Sequence, residues 1–289
     1  METFMLKRKG SAQTCHMQKK TYKEDEVAYI SFPGLEKTGC VKHLFSTRIG
    51  GVSQGIFSSM NLSYTRGDEK EAVDENYRRI AYCLDSDVSH FVCSDQTHTD
   101  HIRIVGKEDM GKGILYPKDY HDVDGMITNQ RGIVLCTFFA DCVPLFFVDP
   151  VKKAIGMTHS GWRGTVQKIG KKTIQMMQEQ YGTNPANLFT AIGPSICQEC
   201  YEVSEDVIER VKEVFEESIW ARLFYPTVPG KYQLNLWEAN RQIMLEAGVP
   251  ATHIEVTDVC TCCNADLLFS HRASQGKRGN LGAFLTLTE

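Results

Sequence analysis

The chain has 289 residues, 42% of them hydrophobic and 24% charged, with 23 glycines, 9 prolines and a formal net charge of -4, which excludes a disordered, collagenous or coiled-coil protein. A slightly acidic surface offers no general attraction to nucleic-acid backbones or anionic lipid, and no stretch approaches the roughly 20 apolar residues that cross a bilayer, so neither nucleic acid nor membrane is expected as a partner. The N-terminus lacks the apolar run of a secretory signal, and the odd number of 11 cysteines argues against a disulfide framework. Together these predict a cytoplasmic protein whose thiols are reduced and mostly buried as small hydrophobes.

Residues 1–25 are polar and locally basic (Lys7, Arg8, Lys9, Lys19, Lys20), which suits a loosely held N-terminal extension or an edge hairpin. From Val27 onward the pattern is globular without linker, repeat or low-complexity tract, predicting one domain over 26–289. Strand-like runs occupy 41–47, 90–96, 102–106, 132–139, 143–149 and 153–159, and the last two flank a turn, Asp-Pro-Val-Lys-Lys, that predicts a hairpin. Helical spacing marks 71–84, where Val73, Tyr77, Ile80, Ala81 and Leu84 share a face, and 166–182, which ends on Gly182. Two more helices are expected to start near Ser204 and near Leu236, the latter running toward Gly248. Helices interspersed with short strands and hairpins predict an α+β fold with a mixed sheet rather than regular βαβ winding. The glycine fingerprints of dinucleotide and P-loop sites do not occur.

Four clusters can carry chemistry. In ADCVP, Cys142 stands between two apolar runs, and His159 ends the next strand before a glycine-flanked turn, HSGWRGT. The two side chains can therefore meet at one sheet end, as metal ligands or as a nucleophile and its base. In DQTHTDH, His98 and His101 share a face if the run is helical and oppose each other if it is extended; the spacing does not choose between them. In FSTRIGG, Arg48 precedes two glycines and could grip a phosphate or carboxylate with its planar fork. CQEC (197–200) and CTCC (260–263) together suggest a zinc site, but their long separation departs from the usual ribbon spacing, so a packed, reduced cluster is expected there. His271 and Arg272 follow an apolar run and either close a site or cap a strand.

Taken in order, FSTRIGGVSQG, MNLS, GDEKEAVDENYRRI, DQTH, ADCVPLFFVDP, HSGWRGT, AIGPSIC, YEV and CT with FSHR resemble the YfiH/YlmD family, the laccase-domain or peptidoglycan-editing-factor proteins, over about 41–285. The resemblance implies mixed sheets with flanking helices in an α/β/β/α layering. It also implies a purine nucleoside phosphorylase acting on adenosine, inosine and methylthioadenosine, with accompanying adenosine deaminase activity and a bound zinc, for which copper is an alternative. Carried over position by position, the family's metal ligands fall on His98, Cys142 and His159. Two nitrogens and a thiolate would leave one tetrahedral position open, as a catalytic zinc requires.

Within that reading, residue chemistry suggests Arg48 and Arg163 for neutralising phosphate, Asp141 as a proton-transfer group or one that supports the metal ligands, and Asn61 for orienting a sugar hydroxyl. Where relatives read GKTGR near the C-terminus, this chain has Gly276, Lys277, Arg278, Gly279 and Asn280, so an arginine contact is expected to be shifted or missing. Asn235 stands before Leu236 where many relatives have aspartate. The paired HxH and HCH motifs of multicopper oxidases do not occur, which argues against electron-transfer oxidation. Two other classes compete: a cysteine hydrolase or amidase with Cys142 as nucleophile and His159 as base, for example in editing peptidoglycan precursors, and a non-catalytic metal-binding protein.

Overall fold

The computed structural model describes residues 6–10 and 14–288; parts of the expected N-terminal extension, 1–5 and 11–13, lie outside the described residues. Two sheets of six strands dominate among the described residues. The first runs, in spatial order, His16–Tyr22, Asp25–Ser31, Val41–Ser46, Leu281–Leu287, Val134–Phe139 and Phe91–Cys93; the second runs Ile254–Val256, Phe189–Ile192, Val143–Asp149, Ala154–Ser160, Gly125–Thr128 and Ile102–Ile104. Each sheet is antiparallel in its middle and closed by parallel pairs, between Phe91–Cys93 and Val134–Phe139 in the first and at both edges of the second. This is the mixed α+β arrangement that the interspersed elements predict.

Hydrophobic patterning sets the layers. The run VPLFFVD of Val143–Asp149 is buried at every position, because a central strand covered on both faces needs no polar alternation. One of its faces meets the first sheet: Phe146 and Val148 share a core with Phe45, Leu135, Phe139 and Leu285. On its other face Leu145 and Phe147 join Ile174, Met177 and Ile243 from the helices Ile169–Tyr181 and Leu236–Glu246. The helix Lys70–Cys83 lays Val73, Tyr77 and Ile80 on the outer face of the first sheet, against Leu44, Val134 and Phe284. These three cores give the α/β/β/α layering.

Several elements depart from the sequence expectations. Residues His16–Tyr22 pair in register with Asp25–Ser31, the edge-hairpin alternative for that segment. The helix expected over 166–182 is two helices, Trp162–Val166 and Ile169–Tyr181, because Lys168 takes a left-handed backbone conformation (φ +56°) that interrupts the hydrogen-bond ladder. Ser204 occupies the N-cap position of Glu205–Val214, but its hydroxyl donates to the Asp206 carboxylate and makes no capping bond. Asn235, by contrast, caps Leu236–Glu246 by accepting from Glu238 N at 3.0 Å.

Candidate active site

The predicted hairpin brings Cys142 and His159 together. Val143–Asp149 and Ala154–Ser160 pair with Val143 opposite Ser160 and Pro144 opposite His159, so Cys142, one residue before the first strand, sits at the open end of the ladder beside the imidazole. His98 approaches from the loop after Phe91–Cys93, a segment that is neither helix nor strand. Its backbone is left-handed (φ +67°), and this turns the imidazole onto the pair: His98 Nε2 lies 3.9 Å from Cys142 Sγ, and the two imidazole rings stand edge to face at 4.9 Å. The donor atoms of His98, Cys142 and His159 all lie within 4.8 Å of one another. His101, the other candidate, is exposed and lines a separate groove with Asp100 and Lys172.

Asp124 organises all of this and has no sequence signal to separate it from Asp122 two residues earlier. It is fully buried. Its Oδ1 accepts from His159 Nδ1 at 2.8 Å and from His98 N at 3.2 Å, and its Oδ2 accepts from Thr97 N and Thr99 N at 3.1 and 2.8 Å. The bond to Nδ1 leaves His159 Nε2 to face the thiol, which is how a carboxylate fixes a ligating imidazole. Burial alone would raise the Asp124 carboxyl, but His159 and the backbone amides more than offset it and hold the group below its ordinary range. Burial likewise pushes the Cys142 thiol up, yet the two imidazoles outweigh it and bring the thiol down to about 6. His159, pulled down by burial, is raised to about 9 by the Cys142 thiolate and Asp124.

The trio fits a small cation. A β-carbon built on Gly161 would stand 3.1 Å from both Cys142 Sγ and His98 Cδ2, so a side chain there would crowd the thiol and the imidazole, and glycine lets the backbone pass close to both. Two imidazoles and a thiolate are the donor chemistry that zinc and copper accept.

The three donors form one end of a cleft of about 370 Å³, within the range of small-molecule sites. Its apolar wall includes Leu62, Phe138, Phe139 and Ala140, and its polar wall includes Arg66, Gln96, Lys118 and Arg278. Gln96 is pinned by two 2.7 Å bonds to the Phe138 backbone, and Lys118 is paired with Asp95. The arginines are different. Arg278 is 9% exposed, its Nε has no partner while its Nη1 donates to Gly279 O and Asn280 Oδ1, and neither it nor Arg66 forms an ion pair with a carboxylate among the described residues. Burial lowers the Arg278 guanidinium to about 10, and the neighbouring positive charge of Arg66 adds to the effect. Two guanidiniums facing one cleft favour an anionic ligand, with Asp141 and the Cys142 thiolate near enough to offset only part of the Arg278 charge. The shifted C-terminal arginine therefore does reach the site.

The other expected residues lie around the cleft without lining it. Asp141, left-handed at φ +91°, accepts from Thr261 Oγ1 at 2.6 Å and from Arg272 N at 2.7 Å, which anchors the turn before Cys142. Arg163 is exposed and stacks over Trp162 at 4.5 Å. Arg48 donates to the carbonyls of Ser58 and Ala265, both at 2.8 Å, stacks on Phe269 and lines a neighbouring recess. Asn61 is fully buried, with its amide committed to Ser63, Asp68 and Asn280. It ties the 61–63 segment to Asn280, just before the strand Leu281–Leu287.

A family model described as multi-copper polyphenol oxidoreductase laccase matches residues 42–288. Over 249 residues the chain is 38% identical to a protein from Bacillus subtilis (strain 168) named purine nucleoside phosphorylase YlmD, spanning 85% of this chain and 88% of that one. It is 33% identical over 230 residues to an adenosine deaminase from an unknown prokaryotic organism, spanning 79% of this chain and 87% of the relative. The crystal structure of the hypothetical protein YfiH from Bacillus licheniformis superposes with a TM-score of 0.85 at 34% identity, covering 90% of this chain and 96% of that one.

Proposed function

The chain belongs to the laccase-domain family of YlmD and YfiH, and from that premise we propose that it is a zinc-dependent purine nucleoside phosphorylase, acting on adenosine, inosine and methylthioadenosine, with an adenosine deaminase activity at the same cleft. The observation that carries the proposal is the convergence of His98, Cys142 and His159 within 4.8 Å in a cleft that is also lined by two arginines, Arg66 and Arg278, in no ion pair among the described residues. A zinc ion held by His98, Cys142 and His159 would supply Lewis acidity and would acidify water toward neutrality, which is the chemistry that deamination at C6 needs. The same donors would accept copper. A trinuclear copper oxidase would require more imidazoles than this cleft contains.

Phosphorolysis rests on the chain's own cations. Phosphate is held by Arg66 and Arg278, whose guanidiniums neutralise its charge and aim an oxygen at C1′. The new C1′–O bond forms as the C1′–N9 bond breaks, and the purine leaves with the electron pair and takes up the proton that the hydrogen phosphate gives up. The products are the free base and ribose 1-phosphate from adenosine or inosine, and the 5-methylthio analogue of that sugar phosphate from methylthioadenosine. The apolar wall of Phe138, Phe139 and Leu62 receives the base, and Asp124 keeps His159 in the tautomer that faces Cys142.

One observation favours a second reading. Asp124, His159 and Cys142 form an acid–imidazole–thiol relay with a lowered thiol, the arrangement of a cysteine hydrolase. The two separate in one assay: metal-quantified protein is given inosine and adenosine with and without phosphate, and ribose 1-phosphate is followed. Phosphate-dependent release that vanishes in His98→Ala supports the phosphorylase. Metal-free protein that keeps full turnover, stops on thiol alkylation or cleaves a peptidoglycan precursor instead supports the hydrolase.

A further inference from the structure

The pairs Cys197/Cys200 and Cys260/Cys263 play no part in the cleft, and their long separation in sequence points to simple packing. The sheet removes that objection. Phe189–Ile192 and Ile254–Val256 are parallel neighbours, so the segments leaving their C-terminal ends run side by side. Ser195 is bridged to Cys260, and Ser195 N and Thr261 N donate to Val259 O and Ser195 O at 3.2 and 3.1 Å. The result is that two CxxC turns face each other across one interface.

Their four sulfurs lie within 4.8 Å of one another, and Cys262, between two of them in sequence, is not in the group. Cys200 Sγ and Cys263 Sγ are 3.5 Å apart. That is well beyond a disulfide bond of about 2.05 Å and near the ~3.8 Å edge of a tetrahedron with metal–sulfur bonds of about 2.3 Å. The backbone amides of Cys197 and Cys263 both donate to Cys260 Sγ, at 3.3 and 3.4 Å. A buried neutral thiol has little use for two N–H donors, whereas a metal-bound thiolate is stabilised by them. Lys9 and Cys197 line one small recess, where Lys9 is held to Glu199 at 3.4 Å, placing a cation beside sulfurs that would together carry excess negative charge.

We propose that Cys197, Cys200, Cys260 and Cys263 bind one structural zinc ion, distinct from the His98, Cys142 and His159 centre. Four zinc–sulfur bonds form, the thiol protons pass to solvent, and nothing is oxidised or reduced. All four tetrahedral positions are filled by protein, so no substrate position remains. The ion clamps the two loops that brace the cleft. Arg272 donates to Cys200 O and Glu202 O at 3.1 and 3.0 Å, and Thr261, inside the second turn, holds Asp141 beside Cys142.

The test is zinc content per chain in protein produced with zinc, for the wild type, for His98→Ala/Cys142→Ala/His159→Ala and for Cys200→Ser/Cys263→Ser. Two ions are expected in the wild type and one in each variant. The triple variant should take up cobalt(II) in place of zinc with sulfur-to-metal charge-transfer absorption. Stripping it with a chelator should lower its melting temperature by ~10 °C. If the cysteine variant fails to fold, the triple variant decides alone. A triple variant without zinc, or a Cys200–Cys263 disulfide in freshly isolated protein, overturns the proposal. One ion in both the wild type and the triple variant would instead fault the reading of the cleft and leave this one standing.

Discussion

Two thiol-bearing clusters lie at the same end of the second sheet, and they are built to opposite ends. In the cleft, one thiol and two imidazoles gather around an open space, one imidazole is exposed, and a buried carboxylate fixes the other. In the four-cysteine cluster the donors are all sulfur, two of the cysteines are buried and two half-buried, and backbone amides do the work that Asp124 does in the cleft. An open, mixed-donor site can take part in a reaction, whereas a closed, all-sulfur one can only hold loops together. The difference lies in what surrounds the sulfur, and the consequences of disturbing each cluster should differ accordingly.

The largest effect is expected from the cleft ligands. His98→Ala, Cys142→Ala and His159→Ala should each reduce phosphate-dependent cleavage of inosine by more than about 100-fold, since residues that only support metal ligands already cost roughly 10- to 100-fold, while the melting temperature changes little. Steady-state kinetics beside thermal unfolding checks both. A loss of folding comparable to that of Cys200→Ser/Cys263→Ser would erase the contrast between the clusters. Asp124→Asn comes next, with a loss of roughly 10- to 100-fold in turnover or metal affinity, measured by the same assay and by metal titration.

Arg278→Ala and Arg66→Ala should raise KM for phosphate roughly 10-fold or more, the worth of a charge-assisted hydrogen bond, with a smaller change in KM for inosine. An equal rise in both would remove phosphate binding from these residues. The smallest effect is one of pH. The Cys142 thiol is lowered to about 6 in the folded chain, below the ordinary thiol range. In metal-stripped protein its alkylation rate should therefore climb as pH rises through about 6 and then level off, while an ordinary thiol keeps accelerating. Because the folded value is the lower one, the stabilisation it contributes is fully present above about 9 and is lost as pH falls through about 6. A single rise near 9 in the alkylation profile would place Cys142 outside the influence of the two histidines.

How much of this was legible in the sequence follows from the physics of each part. Local patterns with strong periodicity, such as Lys70–Cys83 and the hairpin ending at Cys142 and His159, are written in adjacent residues and match the structure closely. The choice of His98 over His101 came from family resemblance; in the structure it depends on a left-handed backbone and on Asp124, neither of which spacing encodes. The central strand Leu281–Leu287, between Val41–Ser46 and Val134–Phe139, is fixed by non-local pairing and formed no part of the local reading. Arg278 lines the cleft despite the altered C-terminal motif, which a motif comparison alone does not reveal. The four cysteines were visible as two CxxC pairs, but their meeting depends on two parallel strands that no local pattern announces.

Under the proposed function, phosphorolysis of purine nucleosides depends on a metal ion held by His98, Cys142 and His159. The most direct measurement strips the protein with a chelator, restores zinc in steps, and follows ribose 1-phosphate released from inosine at each step. Activity should disappear with the metal, return in proportion to the zinc restored, require phosphate, and fail to return in Cys142→Ala. Full activity in the stripped protein, or release of base that is indifferent to phosphate, would contradict it.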